Sequence, residues 1–271
     1  MRYQPSHLRK LLSELGIHPS KRLSQNFLID GNIVRKIVQF AGVQKGDHVL
    51  EIGPGPGALT EALLAAGAQV TAIEKDPRMI QLLSSLPRLK VQEADILNYE
   101  IPKSNWKVVA NLPYHITTPV LAHLIEARDR IQSITVMVQK EVAERFRARP
   151  KSKDYSSFSV FLQFYADVHF GFVVSPTCFF PAPKVHSAVV RLDLRSPPPV
   201  SSEKRFFELV RAAFGKRRKM LRSNLKEITP HAEQCLENIG IRGDARAEDL
   251  SVLDFVALFK EIEQHQKKVQ T

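Results

Sequence analysis

The sequence predicts an α/β protein with a mostly parallel, doubly wound sheet, followed by a smaller all-helical domain. Between residues 47 and 139, short apolar runs alternate with helix-like patterns, and this alternation is typical of βαβ units. Strand patterns stop after the proline run at residues 196–199, which predicts a stiff linker. We therefore expect one domain over residues 1–196 and a second, helical domain over residues 197–271.

A first helix, five strands and the helices between the strands are expected before residue 140. The helix covers Asn32–Ala41, because apolar residues recur on one face, and Asp30 precedes it as a side-chain cap. Further helices, such as Ala58–Ala66 and Pro119–Ala127, are expected between the strands. The five strands are short and apolar, and cover His48–Ile52, Val70–Glu74, Leu89–Glu93, Lys107–Ala110 and Ser133–Val138.

Two more strands and then only helices are expected in the rest of the chain. Phe158–Phe164 and Val185–Leu194 are predicted as strands, since both are short apolar runs. Beyond the linker, apolar residues keep helical spacing. Ser251 and Asp254 form a capping-box pattern before a last helix. The polar tail Gln264–Thr271 is predicted to fray.

Charge and cysteine content narrow the class of protein. The net charge of +11 is concentrated in residues 1–46, 140–153 and 201–226, and such basic segments favour a polyanion such as nucleic acid. The two cysteines have no metal-binding spacing and are too few for a disulfide framework. We expect reduced thiols in a cytoplasmic protein. No apolar run is long enough to cross a membrane, and the N-terminus lacks the apolar region of a secretory signal.

A glycine-rich loop follows the first predicted strand. Gly53 and Gly55 allow a close approach of the backbone to a ligand, and Glu74 ends the next strand, where a carboxylate can accept both hydroxyls of a ribose. Asp95 follows the third strand and could accept from an adenine amine. These residues favour an adenosine-containing cofactor, either a nicotinamide dinucleotide or S-adenosylmethionine. Prolines in the loop remove N–H donors that a pyrophosphate needs, which favours S-adenosylmethionine.

The tetrad Asn111-Leu112-Pro113-Tyr114 follows another predicted strand. In an open parallel sheet, ligands bind at the carboxyl ends of the strands. The tetrad offers hydrogen-bond acceptors and an aromatic ring for stacking, a combination that suits the exocyclic amine of a nucleobase.

The sequence resembles the ribosomal RNA small-subunit adenine N6-dimethyltransferases, the KsgA (RsmA) family. The resemblance covers nearly the whole chain and depends on four motifs in this order. They lie at Lys21–Leu28, Glu51–Gly55, Asn111–Tyr114 and Phe179–Val185. The family implies a Rossmann-like S-adenosylmethionine-dependent methyltransferase sheet with a small helical domain after it. It also implies N6,N6-dimethylation of two adjacent adenosines near the 3′ end of 16S rRNA, coupled to small-subunit biogenesis.

The resemblance also implies roles for single residues. Asn111 and Leu112 would accept from the amine, while Tyr114, which follows the stiff Pro113, and Phe180 would sandwich the base. The implied cofactor contacts are Asn26, Leu28, Gly53, Gly55, Glu74, Asp95 and Asn111. The expected RNA contacts are basic, at Lys21, Arg22, Arg145, Arg147, Lys216, Arg217, Arg218 and Arg222. Two positions depart from the family pattern: Ser24 replaces an expected Gly, and His186 an expected Asp.

The expected partner is small-subunit rRNA in a 30S assembly intermediate, bound by a monomer that uses no metal. Within the enzyme class, a large-subunit (23S) rRNA methyltransferase of the antibiotic-resistance type shares the core motifs. From another class, an RNA-binding assembly factor with dispensable catalysis would share the basic segments. A nicotinamide dehydrogenase would leave both the tetrad and the charge unexplained.

Overall fold

The structure is a computed structural model that describes residues 26–216 and 218–270, together with Leu8 and Leu12. The chain divides into two compact units. The sheet unit runs up to Ala143 and resumes over Val168–Leu194, and the helical unit holds Glu144–Asp167 and the described residues from Arg195 onward. The helical unit therefore includes a segment from before the proline linker. The domain division at residue 196 stays a prediction.

The sheet unit contains a seven-stranded sheet in the order β4-β3-β2-β5-β6-β9-β7. The strands from β4 to β6 are parallel, whereas β9 runs antiparallel to β6. A separate antiparallel pair joins β1 to β8, with Phe27 opposite Phe180. The strands are β1 (Phe27–Leu28), β2 (His48–Ile52), β3 (Gln69–Glu74), β4 (Lys90–Glu93), β5 (Trp106–Asn111), β6 (Ile131–Gln139), β7 (Ala166–Val174), β8 (Phe179–Phe180) and β9 (Ser187–Leu194).

Two of the helices around this sheet begin at a carboxylate cap, Asp30 for the first and Asp76 for the helix at Pro77–Leu83. The Asp30 carboxylate accepts from the backbone N–H groups of Asn32 and Ile33, as predicted, and the first helix packs its apolar face on the sheet, with Val34 and Ile37 buried. Parallel strands need such crossover helices. The helices are α1 (Gly31–Phe40), α2 (Ala58–Ala65), α3 (Pro77–Leu83), α4 (Thr117–Glu126) and α5 (Lys140–Phe146).

The first complete helix of the helical unit lies where a strand is predicted. The strand predicted at Phe158–Phe164 is wrong, because Ser157–Tyr165 forms helix α6. The hydroxyls and backbone N–H groups of Ser156 and Ser159 bond reciprocally in a capping box, which sets the helix start. The strand after it, β7, is absent from the prediction, because it is an edge strand of mixed polar and apolar residues that lacks a continuous apolar run.

The remaining helices of the helical unit follow the proline linker, which forms no helix or strand. Asp254 accepts from the backbone N–H of Ser251 at 2.8 Å, so the predicted capping box is present. The last helix continues to Gln270, and the fraying expected for Gln264–Thr271 stays a prediction. These helices are α7 (Glu203–Ala213), α8 (Leu221–Asn224), α9 (Ala232–Asn238) and α10 (Val252–Gln270). None of the helices described here is long and apolar enough to cross a membrane.

Candidate active site

A cavity of about 230 Å³ opens at the carboxyl ends of the parallel strands. This is the edge of an open α/β sheet at which ligands bind. All the residues expected to contact the cofactor line it, as do three further residues of the tetrad. The cofactor set is Asn26, Leu28, Gly53, Gly55, Glu74, Asp95 and Asn111, and the others are Leu112, Pro113 and Tyr114.

The glycine loop after β2 follows the wall of this cavity closely. Gly53 and Gly55 have φ angles of +64° and +52°, a left-handed conformation that favours glycine. A Cβ atom on Gly55 would lie 3.2 Å from ring atoms of Phe27. The Gly55 N–H donates to Glu74 Oε2 at 3.2 Å. The loop is therefore held between the aromatic ring of β1 and the carboxylate at the end of β3.

Glu74 is a buried carboxylate with a fixed orientation. Its Oε1 accepts from the backbone N–H groups of Lys75 at 2.8 Å and Asp76 at 2.9 Å. Burial raises the pKa of Glu74, and these N–H groups, with that of Gly55, oppose the rise. Since each carboxylate oxygen has two lone pairs, Oε2 can still accept from a ligand hydroxyl.

Asp95 caps a turn and also lines the cavity. Its carboxylate caps the turn at Ile96–Asn98 by accepting from Leu97 N–H at 3.1 Å. Lys75 Nζ donates to it at 2.7 Å and lowers the pKa of Asp95. The carboxylate is thus ionised and still has lone pairs for a ligand amine.

The tetrad continues from the end of β5 into the cavity wall. Asn111 Nδ2 donates to the backbone oxygen of Asn26 at 3.2 Å. The amide nitrogen therefore bonds within the protein, and Oδ1 is the atom that can accept from a ligand. The Leu112 N–H donates to Met137 O at 3.2 Å, so the backbone is still tied to β6. The Tyr114 hydroxyl lies 2.7 Å from Ser187 Oγ of β9, and burial raises its pKa.

Phe180 occupies a different position from the tetrad. It lies in β8 opposite Phe27 and packs, partly buried, against a small cluster formed by Leu8, Leu12, Phe27 and Met79. The cavity is lined by Phe27 and not by Phe180. The stacking role expected for Phe180 stays a prediction.

Glu51 lines the cavity and is not among the predicted site residues. Its side chain is only 1% exposed, and neither carboxylate oxygen has a hydrogen-bond partner among the described residues. Burial raises the pKa of Glu51 to about 8; the nearby Thr60 hydroxyl, which does not reach hydrogen-bonding geometry, opposes the rise and Glu74 adds to it. Its place two residues before Gly53 was the available signal. A buried carboxyl without partners is costly and indicates a ligand position.

The expected RNA contacts fall into described and undescribed groups. Arg145 and Arg147 are exposed and flank the buried Phe146, in the helical unit. Lys216 and Arg218 are also exposed there, whereas Arg222 forms an ion pair with Glu233. Lys21, Arg22, Ser24 and Arg217 lie outside the described residues. Within the described parts of the chain, His, Cys, Asp and Glu form no group that could hold a metal ion.

The parallel sheet, the glycine loop and the tetrad at one edge define a class, the Rossmann-like S-adenosylmethionine-dependent methyltransferases. A model of one family within this class, described as ribosomal RNA adenine dimethylase, matches residues 18–264. The chain belongs to the ribosomal RNA adenine dimethylase family.

Curated relatives agree with this assignment. Two proteins named ribosomal RNA small subunit methyltransferase A are similar over nearly the full length. The one from Protochlamydia amoebophila is 48% identical and covers 96% of this chain and 97% of its own. The one from Chlamydia muridarum is 46% identical, and the match covers 93% of this chain and 95% of the relative. The protein is therefore an enzyme, an S-adenosylmethionine-dependent methyltransferase.

Among solved structures, a dimethyladenosine transferase from Plasmodium falciparum has a TM-score of 0.79 at 28% identity, covering 89% of this chain and 98% of its own. The 23S rRNA methyltransferase ErmE has a TM-score of 0.70 at 30% identity, and the match covers 88% of this chain and 100% of ErmE. The fold is thus shared by an enzyme named for dimethyladenosine and by one named for 23S rRNA.

Proposed function

We propose that this protein transfers methyl groups from S-adenosylmethionine to N6 of two adjacent adenosines near the 3′ end of 16S rRNA. The observation that carries the proposal is the tetrad Asn111–Tyr114, which lines the same cavity as Glu74 and Asp95. An acceptor pair for an exocyclic amine thereby lies beside a site for an adenosyl cofactor. The names of the curated relatives, small subunit methyltransferase A, favour the small subunit over the large subunit.

The cavity residues fit the parts of S-adenosylmethionine. Glu74 would accept from the ribose hydroxyls and Asp95 from the adenine amine. Glu51 has two buried oxygens without protein partners among the described residues, which suit the ammonium of the amino-acid part. The bound cofactor supplies a methyl group made electrophilic by its sulfonium.

The protein's contribution to the transfer is to orient the amine. Adenine N6 is a weak nucleophile because its lone pair is delocalised into the ring. The Asn111 Oδ1 and the Leu112 carbonyl oxygen would accept the two N6 hydrogens and turn the nitrogen lone pair toward the methyl group. Such fixed acceptors accelerate a reaction through orientation and preorganised dipoles. No strong base is needed, since the amine proton becomes acidic once the nitrogen carries positive charge.

Tyr114 would hold the target base by stacking, as enzymes that act on extruded bases do. The hydrogen bond between its hydroxyl and Ser187 restrains the ring before the base arrives. Because a restrained ring loses little entropy on binding, the contact favours the bound base. Phe180 remains the proposed partner on the opposite face of the base.

The RNA partner is proposed to be 16S rRNA within a 30S assembly intermediate, bound by a monomer. The exposed basic residues Arg145, Arg147, Lys216 and Arg218 support an RNA surface on the helical unit. Contacts to phosphates supply most non-specific affinity for nucleic acids. Helical rRNA is read largely through its shape and backbone, which suits such a surface.

Incubation with purified ribosomal particles tests the proposal. The enzyme and S-adenosylmethionine are incubated with unmethylated small-subunit particles or with large-subunit particles, and the rRNA is analysed by mass spectrometry. We expect N6,N6-dimethyladenosine at two adjacent positions near the 3′ end of 16S rRNA, and far less of it with Asn111→Ala at the same time point. Methylation of large-subunit RNA alone would contradict the proposal.

A further inference from the structure

A second depression, of about 560 Å³, lies in the sheet unit away from the cavity residues. Its walls come from the C-terminal half of α1, from the edge strand β7 and from the far end of β9. They combine three basic side chains, one carboxylate and two phenylalanines: Lys36, His169, Arg191, Asp193, Phe40 and Phe172. The fold and the proposed catalysis do not account for this combination.

Two phenylalanine rings form the floor of the depression, and one of them packs closely against the backbone of a strand. Phe40 and Phe172 pack edge to face, with ring centroids 6.3 Å apart. A Cβ atom on Gly171 would lie 2.9 Å from the Phe40 ring and 3.0 Å from Val189 O. A glycine therefore lets the Phe40 ring lie directly on β7. Both rings are partly exposed and offer apolar surface to a ligand.

The basic side chains around this floor are held in place. Arg191 Nε donates to Asp193 at 2.7 Å, and its Nη1 donates to Phe40 O at 3.3 Å. His169 Nε2 lies 3.2 Å from the second oxygen of Asp193. Lys36 Nζ lies 5.9 Å from the centre of the Phe172 ring, within cation–π range. Lysine and arginine side chains beside aromatic rings are the combination that single-stranded nucleic-acid sites use.

The depression also shares a strand with the proposed base site. Side chains alternate along a strand, so Ser187, Val189, Arg191 and Asp193 of β9 point to one face of the sheet. Ser187 contacts the Tyr114 hydroxyl at one end of that row, and Arg191 and Asp193 line the depression at the other. At ~3.4 Å per residue, Arg191 lies roughly 14 Å from Ser187 along the strand. Ser187 and Val189 are fully buried, so an RNA strand would reach both ends over the protein surface and not along this row.

We propose that this depression binds a single-stranded RNA segment that flanks the target adenosine. Lys36, Arg191 and His169 contact phosphates, and the exposed surface of Phe172 stacks with one base. The proposal rests on the proposed function for the identity of the RNA. It adds a second anchor for that RNA within the sheet unit, apart from the basic residues of the helical unit.

The test compares Lys36→Ala with Lys90→Ala, since both lysines are exposed and Lys90 lies on β4, at the opposite edge of the sheet. Binding is measured for RNA fragments that carry the target adenosine with, or without, a single-stranded flank on each side. For flanked RNA, we expect Lys36→Ala to weaken affinity a few-fold and to lower the slope of log K against log salt by about one. Lys36→Arg should restore both values.

Phe172→Leu provides a second, uncharged variant. It should weaken binding of flanked RNA by about fivefold or more, because the base no longer has a ring to stack on, without changing the salt slope. If Lys36→Ala and Phe172→Leu both bind flanked RNA as Lys90→Ala does, the inference is wrong. Methylation of 16S rRNA by the unmodified enzyme is scored separately, so failure of this inference and failure of the proposed function give different results.

Discussion

At the scale of single residues, the proposed chemistry depends on the orientation of the Asn111 amide. Its Nδ2 donates to the backbone oxygen of Asn26, so the other amide atom, Oδ1, is the acceptor presented to a target amine. Asn26 directly precedes β1, a two-residue strand that pairs with β8. The catalytic geometry thus depends on a small pair of strands outside the main sheet.

Asn111→Ala should lower kcat by a factor of about 100 to 1,000, the usual effect of removing one preorganised hydrogen-bonding group. RNA affinity should change little, because the basic surfaces remain. Single-turnover methylation and RNA binding would be measured on the same preparation. Equal losses of turnover and RNA affinity would contradict the orienting role.

Glu51 gives a prediction on pH dependence. Its pKa in the folded protein is about 8, against 4.5 ordinarily, so between these values the folded state binds more protons than the unfolded state. The stabilisation from this group is fully present below pH 4.5 and is lost as pH rises toward 8. The free energy of unfolding should therefore fall with pH relative to Glu51→Gln, by at most roughly 1.4 kcal/mol per pH unit.

Denaturant unfolding at several pH values from about 5 to 9 measures this difference. The free energies of unfolding of the two proteins should diverge as pH rises to 8, and their difference should stay constant above that pH. An ammonium ligand beside Glu51 would favour the ionised carboxylate, so S-adenosylmethionine binding near pH 7 should release a proton in the unmodified enzyme and not in Glu51→Gln. A pH-independent difference in stability would contradict the assigned protonation.

At the scale of elements, the strand ends of the sheet could be predicted better than the helical unit. His48–Ile52 is predicted with its observed bounds, because a short, mainly apolar run directly precedes glycines. The run Phe158–Phe164 misleads the prediction, since aromatic residues favour strands and periodicity does not separate a short buried helix from a strand. Its aromatic rings pack against Phe206 and Phe207, contacts from distant sequence that favour the helix.

The predicted cofactor residues show why the sequence locates a site more easily than it identifies every residue of that site. Gly53, Glu74 and Asp95 each lie at or just after the end of a strand, and parallel strands bring their carboxyl ends together, so their meeting in one cavity could be foreseen. Glu51 lies inside a strand, where the local sequence gives no sign that both its oxygens are buried without a partner among the described residues. The place of Phe180 in β8 depends on pairing with a strand far earlier in the chain, which local patterns do not show.

The glycine loop yields a prediction with a matched control. Gly55→Ala should weaken S-adenosylmethionine binding and destabilise the protein by about 1–2 kcal/mol, since φ is +52° and the new methyl group would press on Phe27. Gly46 also has a positive φ, of +92°, but a Cβ atom there would meet nothing within 4 Å. Calorimetric titration of both variants should show reduced cofactor affinity for Gly55→Ala alone. Equal affinities would contradict the close approach of this loop to the ligand.

At the scale of the whole molecule, the basic residues differ in how far they can reach a partner. The net charge of +11 indicates a polyanion from sequence alone. It does not show which basic residues face solvent, because packing decides that. The Lys107 side chain is only 12% exposed and pairs with Asp47, whereas Arg145 and Arg147 alternate with the buried Phe146 and are exposed. Such an exposed pair is the better candidate for phosphate contact.

Neutralising Arg145 and Arg147 should therefore change RNA binding more than removing the same charge elsewhere on the protein. Arg145→Gln/Arg147→Gln should lower the slope of log K against log salt by about two, one for each phosphate that is no longer neutralised. Lys90→Gln/Arg242→Gln removes the same charge from exposed positions outside the three basic segments, and should leave the slope nearly unchanged. Filter binding of the 16S rRNA 3′ region between about 50 and 200 mM salt measures both. Because long-range attraction depends on total charge whereas direct contact depends on position, equal slopes for the two double variants would mean that this segment does not touch RNA.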